Sequence, residues 1–231
     1  MDNSQREPGR LGGSSPRTRV RRLPDLARYD REAIHAILDA TSICHLGVVL
    51  GGEPLVLPNL HRRDGDSLLL HGSASNRAMG AALEAARVCV TVTIVDGIVA
   101  ARSAFNSSIA YRSAVVFGPA TLVEDPEEHA HALDLLTNGV IPGRTAELRR
   151  PSESELRRTK VLRVAIEEAS AKVNAGPPGD DDEDLEGAAW GGVIPLERRW
   201  GAPVPAPDGA VGRGEVAPDA SIRQMLERPA W

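Results

Sequence analysis

Residues 102–118, RSAFNSSIAYRSAVVFG, gather Asn106, Ser107, Ser108, Tyr111, Arg112 and Ser113 at the entrance of an apolar strand. Hydroxyls, a phenol and a guanidinium in one place suit a ligand with a polar rim and a phosphate. Tyr111 and Arg112 are neighbours, so on a strand they face opposite sides and do not line one pocket by simple alternation. A second cluster lies upstream, His71-Gly72-Ser73-Ala74-Ser75-Asn76-Arg77. There a strand ends and a helix begins within a few residues. Gly72 would let the backbone approach a ligand closely. Ser73, Ser75 and Asn76 are good cap residues, and the first amides of the helix point outward unpaired. Such an end attracts phosphate, and Arg77 adds a permanent forked charge. On pattern alone, a capped helix with a surface arginine is the simpler reading. His71 is either a proton donor at the pocket edge or a hydrogen-bonded strand-end histidine. A third cluster, Ser170-Ala171-Lys172, precedes Gly176-Pro177-Pro178. Lys172 either brings charge to a phosphate or is a solvated strand lysine.

The elements that must position these groups are mostly strands. Asp30 caps a helix in which Ile34, Ile37 and Leu38 share a face. Residues 43–50 and 54–58 read as a hairpin across Gly51-Gly52, and residues 67–71 follow the turn at Asp64-Gly65-Asp66. Residues 76–86 form a helix. Residues 88–95 are a strand that turns at Asp96-Gly97 and runs back over 98–101. A long strand over 111–123 is broken near Gly118-Pro119. Asp125-Pro126-Glu127-Glu128 opens a helix to about Asn138, and a shorter helix begins at Ser152. Residues 161–173 return to strand, and 190–196 pack back. Helices do not alternate regularly with strands, so the fold class is mainly β, a barrel with helical insertions. Residues 1–23 are read as a disordered basic arm, 24–197 as the domain, and 198–231 as a loosely ordered tail.

The chain has 231 residues, 42% apolar, 26% charged and 3% aromatic, with a net charge of −5, which gives no support for nucleic acid as partner. Six arginines lie between Arg6 and Arg22, and six carboxylates between Asp180 and Glu186. Both runs read as solvated segments. No stretch reaches the ~20 apolar residues of a membrane span. Cys44 and Cys89 sit in apolar runs without metal or disulfide spacing, so a reducing cytoplasm is expected. His35, His45 and His61 have no ligand-spaced neighbours, and His129 and His131 occupy different helix faces, so no metal site is expected. The chain lacks HExxH, a P-loop lysine and a GxGxxG fingerprint after a strand.

Taken in order, the blocks at 71–77, 106–113 and 170–178 resemble the flavin-binding split-barrel family related to pyridoxamine 5′-phosphate oxidase. The likeness is greatest to the branch that includes nitroimidazole-resistance proteins, and it spans about residues 24–197. It implies a split β-barrel that binds FMN between two protomers of a homodimer. The block from His71 through Gly72, Ser73, Ser75, Asn76 and Arg77 would hold the phosphate. Pro58, Asn59 and Leu60 would line the isoalloxazine ring with Thr91 on a nearby strand. Ser108, Tyr111, Arg112, Ser113 and Lys172 would reach the site. Trp190 would stack on the flavin or plug the barrel end. The chain departs from the family at two places. Ser75-Asn76 replaces Ala-Ser before the arginine. Asn106-Ser107-Ser108-Ile109-Ala110-Tyr111-Arg112-Ser113 replaces His-His-Ser-Met-Asn-Tyr-Arg-Ser, which removes both histidines from that segment. The implied activity is oxidation or reduction of a small molecule, nitroaromatic reduction included, with His71 as the catalytic candidate. The alternative is a non-catalytic protein that binds or buffers flavin or haem.

Overall fold

The computed structural model describes residues 9–13, 15–206 and 217–230. Its strands are β1 (Ala27–Arg28), β2 (Ile43–Leu50), β3 (Glu53–Asp64), β4 (Ser67–Ser73), β5 (Val88–Ala100), β6 (Ser108–Gly118), β7 (Ala120–Leu122), β8 (Thr159–Ala165), β9 (Glu168–Asn174) and β10 (Gly192–Pro195). Its helices are α1 (Arg31–Asp39), α2 (Arg77–Glu84), α3 (Pro126–Val140), α4 (Glu153–Arg157), α5 (Asp182–Leu185) and α6 (Ala220–Leu226). The strands pair antiparallel in the order β1-β9-β6-β5-β2-β3-β4-β8-β7, and β10 adds to β5. The architecture is therefore mainly β, a split barrel with helical insertions.

Closure happens at Gly118. A side chain there would fall 1.8 Å from the Ala165 carbonyl oxygen, so only glycine lets β6 bend onto β8. Inside, Leu46, Leu68, Leu70, Val90, Val92, Val116, Leu162 and Val164 form the core with Ile34 and Leu38 of α1 and Met79 of α2. Outside, α3 lies over β3, β4 and β8, where Leu69, Val161, Ala132 and Leu136 make a second apolar cluster. Each long helix starts on the cap its sequence advertises: Asp30 accepts from Ala33 N–H and Asp125 from Glu128 N–H, both at 2.8 Å.

Three expectations change. Asp96-Gly97 is not a hairpin turn. β5 runs through it with a bulge, and β10, not residues 98–101, supplies the returning strand. A side chain at Gly97 would lie 2.4 Å from the Ile194 carbonyl oxygen, so the glycine serves β10's close approach. Residues 161–173 form two strands, β8 and β9, not one.

The third change concerns the ends. Residues 1–8 and 14 of the basic arm lie outside the described residues, but the rest of it is built into the domain. Leu11 is buried, its N–H donates to Tyr29 O, and its carbonyl accepts from Ala169 N–H, both at 2.8 Å. Ser15 and Arg17 both bind Glu168 of β9, and Arg17 stacks over Phe117 at 5.5 Å. In the tail, residues 207–216 and 231 lie outside the description. Helix α6 docks through Ser221, whose backbone N–H and hydroxyl donate to the Glu147 carboxylate at 3.0 and 2.5 Å. Sequence polarity hid both contacts, because one apolar plug and one carboxylate anchor them.

Candidate functional site

Cross-strand register turns scattered sequence blocks into rows on one surface. Partners in an antiparallel ladder share a face, and faces alternate along each strand. Val90, Val92, Ala114, Val116, Ala169 and Ala171 point into the core. Their neighbours in sequence point out. One outward row runs Pro58–His45–Thr91–Val115–Ser170 across β3, β2, β5, β6 and β9. The next holds Leu60 beside Ile43, and Thr93–Ser113–Lys172. Then comes Val95–Tyr111–Asn174. Beyond the bulge, Ile194–Ile98–Ile109 form an apolar row across β10, β5 and β6, with exposures of 51%, 54% and 45%. Trp190 lies over Gly192 at the end of this surface, its ring 2.7 Å from where a glycine side chain would sit, and is 64% exposed. It does not plug the barrel end in the single chain.

Six of the sequence candidates, Pro58, Thr91, Ser113, Tyr111, Lys172 and Trp190, thus share one continuous outer face. Leu60 sits at its border, packed against the cluster under α3. The others lie elsewhere. Asn59 points inward opposite Cys44, and its side-chain oxygen is buried without a hydrogen-bond partner. Ser108 pairs with buried Val99, on the face opposite Ile109. Arg112 is turned away from Tyr111, as alternation requires. Its Nε and Nη2 donate to both oxygens of Asp96 at 2.8 and 2.7 Å, which holds the guanidinium pKa above its usual value. The bulge places that carboxylate.

At the β4–α2 corner, the turn is built by side chains. Ser73 and Ser75 hydroxyls bond each other at 3.0 Å, Ser75 N–H donates to Ser73 Oγ, and Ala78 N–H donates to Asn76 Oδ1 at 2.9 Å. Asn76 is therefore the cap itself. A side chain at Gly72 would meet Met79 Sδ at 2.9 Å, so the glycine also lets α2 sit close on β4. Arg77 is exposed and makes no hydrogen bond or ion pair among the described residues. Lys172 likewise has none. His71 lies opposite Val161, with Nδ1 buried and unpartnered. Burial pushes its pKa below the ordinary value, so the ring is neutral at neutral pH. The thiol of buried Cys44 is pushed up to about 12 and stays protonated.

Sequence reading passed over His45. It is exposed between Pro58 and Thr91 in the central row, and only the β2 register reveals this. Among the described residues no cluster of three or more ligand side chains suits a metal ion. No described helix is long and apolar enough to cross a membrane.

The model of the family described as pyridoxamine 5′-phosphate oxidase matches residues 30–173. The chain belongs to this family. Among family-like solved structures, the flavocytochrome Anf3 from Azotobacter vinelandii is 39% identical, with 91% of this chain and 96% of that one covered and a TM-score of 0.84. The FAD and haem binding protein from Mycobacterium smegmatis is also 39% identical, covering 87% and 97%, with a TM-score of 0.81. A protein titled as a 5-nitroimidazole antibiotic resistance protein, from Bacteroides thetaiotaomicron, is 25% identical over 64% of this chain and 86% of its own, with a TM-score of 0.54. The nitroimidazole likeness of the sequence holds, but two family-like structures share more with this chain, over more of its length. No curated protein matches the chain.

Proposed function

We propose that this pyridoxamine 5′-phosphate oxidase family member is a redox protein that binds a flavin nucleotide on its outer face, between two copies of the chain. One observation carries the reading. A broad sheet face is left uncovered, with apolar rows at one end and two unpaired cations, Lys172 on it and Arg77 at the helix corner. Monomers seldom leave such a face bare. The residues fit a flavin. Arg77 and the α2 amides would take phosphate, Thr91, Tyr111 and Ser113 offer polar contacts beside the ring, and Trp190 offers a stacking surface. A bound flavin supplies one- or two-electron transfer. The chain's part is to orient it, exclude water and hold His71 neutral at its edge.

The sequence resemblance names FMN. The 39% identical FAD and haem binding protein favours the dinucleotide for this chain, with FMN as the other outcome. Nitroaromatic reduction rests on the 25% likeness alone and ranks below electron transfer to another small molecule. Haem is a second reading with its own support. His45 is exposed on the open face and His71 is half-buried on β4 beside it, neither ring makes a hydrogen bond among the described residues, and imidazole nitrogen is a common axial haem ligand. The free thiols of Cys44 and Cys89 fit a cytoplasmic setting.

The test is to purify the protein, extract its cofactors and identify them by mass, then add reduced nicotinamide without oxygen. A bound flavin that bleaches supports the redox reading. Flavin that never bleaches with any donor leaves the binding or buffering alternative. A Soret band that His71→Ala or His45→Ala removes supports haem. A protein that binds neither group refutes the proposal.

A further inference from the structure

We propose that Arg158 and Lys160 extend the Arg77 corner into a second anion subsite, one that takes the pyrophosphate of a dinucleotide. The inference rests on the flavin-nucleotide reading and adds which nucleotide the site selects. The three cations come from two stretches of sequence, and the fold brings their backbones to one corner. In the β4–β8 ladder Gly72 pairs with Lys160 and Ser73 with Thr159. The next link is a backbone bond, Ala74 N–H to Arg158 O at 2.9 Å. Arg158 and Lys160 therefore flank the turn that leads into α2 and Arg77.

None of the three side chains makes a hydrogen bond or ion pair among the described residues. The acids of α4 that could neutralise them are already committed. Glu153 binds Arg157 at 3.2 Å, and Glu155 binds Arg149 at 2.7 Å together with Ser152. Contrast Arg63, Arg102, Arg112 and Arg163, each of which has a carboxylate partner. Unneutralised cations at one corner raise the local positive potential and attract anions. The patch is also extended. A terminal phosphate, as in FMN, engages one position at the α2 amides and Arg77. Two adjacent phosphoryl groups span further and reach the β8 pair, where charge-assisted contacts are strong.

The experiment compares FAD, FMN, inorganic pyrophosphate and inorganic phosphate on the full-length protein, on Arg77→Gln and on the double variant Arg158→Gln/Lys160→Gln. Flavin fluorescence should show the double variant weakening FAD by about tenfold or more and FMN less than about twofold. Arg77→Gln should weaken both. Equal losses of FAD and FMN in the double variant, or no loss of either, overturn the subsite. The second arm does not need flavin. Millimolar inorganic pyrophosphate should raise the melting temperature of the parent more than inorganic phosphate does, and the double variant should lose that difference. No rise in the parent, or the same rise in the variant, overturns the inference. A parent that binds neither flavin refutes the proposed function, and the pyrophosphate arm then decides the subsite alone.

Discussion

The two halves of the barrel's outer surface follow the same strand alternation but are covered differently. Over β3, β4 and β8, outward Leu69 and Val161 are fully buried beneath α3. Over β5, β6 and β10, outward Ile98, Ile109 and Ile194 are about half exposed. Strand β3 belongs to both halves, since Leu60 packs in the cluster under α3 while Pro58, two residues earlier on the same face, is open. An antiparallel sheet with one face on the core normally turns a polar face to water. The open half breaks that rule with three isoleucines in one row. The covered half shows what this chain does with outward apolar residues when its own elements can reach them. The open half has no such cover among the described residues, and it is the face proposed above for a flavin and a second copy.

The covered half should respond most strongly to truncation. Leu69→Ala removes a side chain sealed on both sides and should cost about 2–5 kcal/mol in urea unfolding. A cost near zero would mean that α3 does not hold the second core. Deleting residues 1–22 comes next. The polarity of the arm suggests no cost, but burial of Leu11 alone is worth about 2 kcal/mol, so stability should fall by at least that much. An unchanged unfolding midpoint would detach the arm from the fold.

A smaller effect follows from pH. Burial holds His61 and His71 below the ordinary histidine pKa, and His35 is lowered the same way. The unfolded chain then takes up protons that the folded chain refuses, so stability present above about pH 6.5 is lost progressively as pH falls below that value toward the lowered folded-state pKa. His61, whose Nε2 bonds Leu38 O at 2.9 Å, is the most buried of the three. His61→Gln should flatten the fall in melting temperature between pH 7.5 and 5.5. A parent that grows more stable over that interval would contradict the assignment. Smallest in stability is Ile98→Asp on the open face, within about 0.5 kcal/mol for the single chain. Its effect should appear in sedimentation, as loss of the proposed dimer. A variant that stays dimeric would move the interface elsewhere.

Much of this was legible in the sequence, and the residues show where legibility stopped. Caps announce themselves locally, so Asp30, Asp125 and Ser152 marked their helices. Period-two alternation marked β2, β5 and β6, and it foretold that Tyr111 and Arg112 part company. Register is a long-range property. It decides that His45 joins Pro58 and Thr91, that Arg158 and Lys160 meet the Arg77 corner, and that Asp96 occupies Arg112. Glycine was ambiguous for the same reason. Gly72 and Gly97 looked like a ligand approach and a turn, yet Gly72 also makes room for Met79 on the helix that follows, and Gly97 for β10, distant in sequence.

On the proposed reading, the open face and the Arg77 corner hold a flavin nucleotide by its phosphate. This is tested most directly by titrating the flavin nucleotide extracted from the protein, and riboflavin, against the parent and Arg77→Ala. Loss of a charge-assisted contact should weaken the nucleotide roughly 10- to 150-fold, the equivalent of about 1.5–3 kcal/mol, and leave riboflavin unchanged. Equal losses for both ligands would contradict the account, because Arg77 would then support the pocket and not the phosphate.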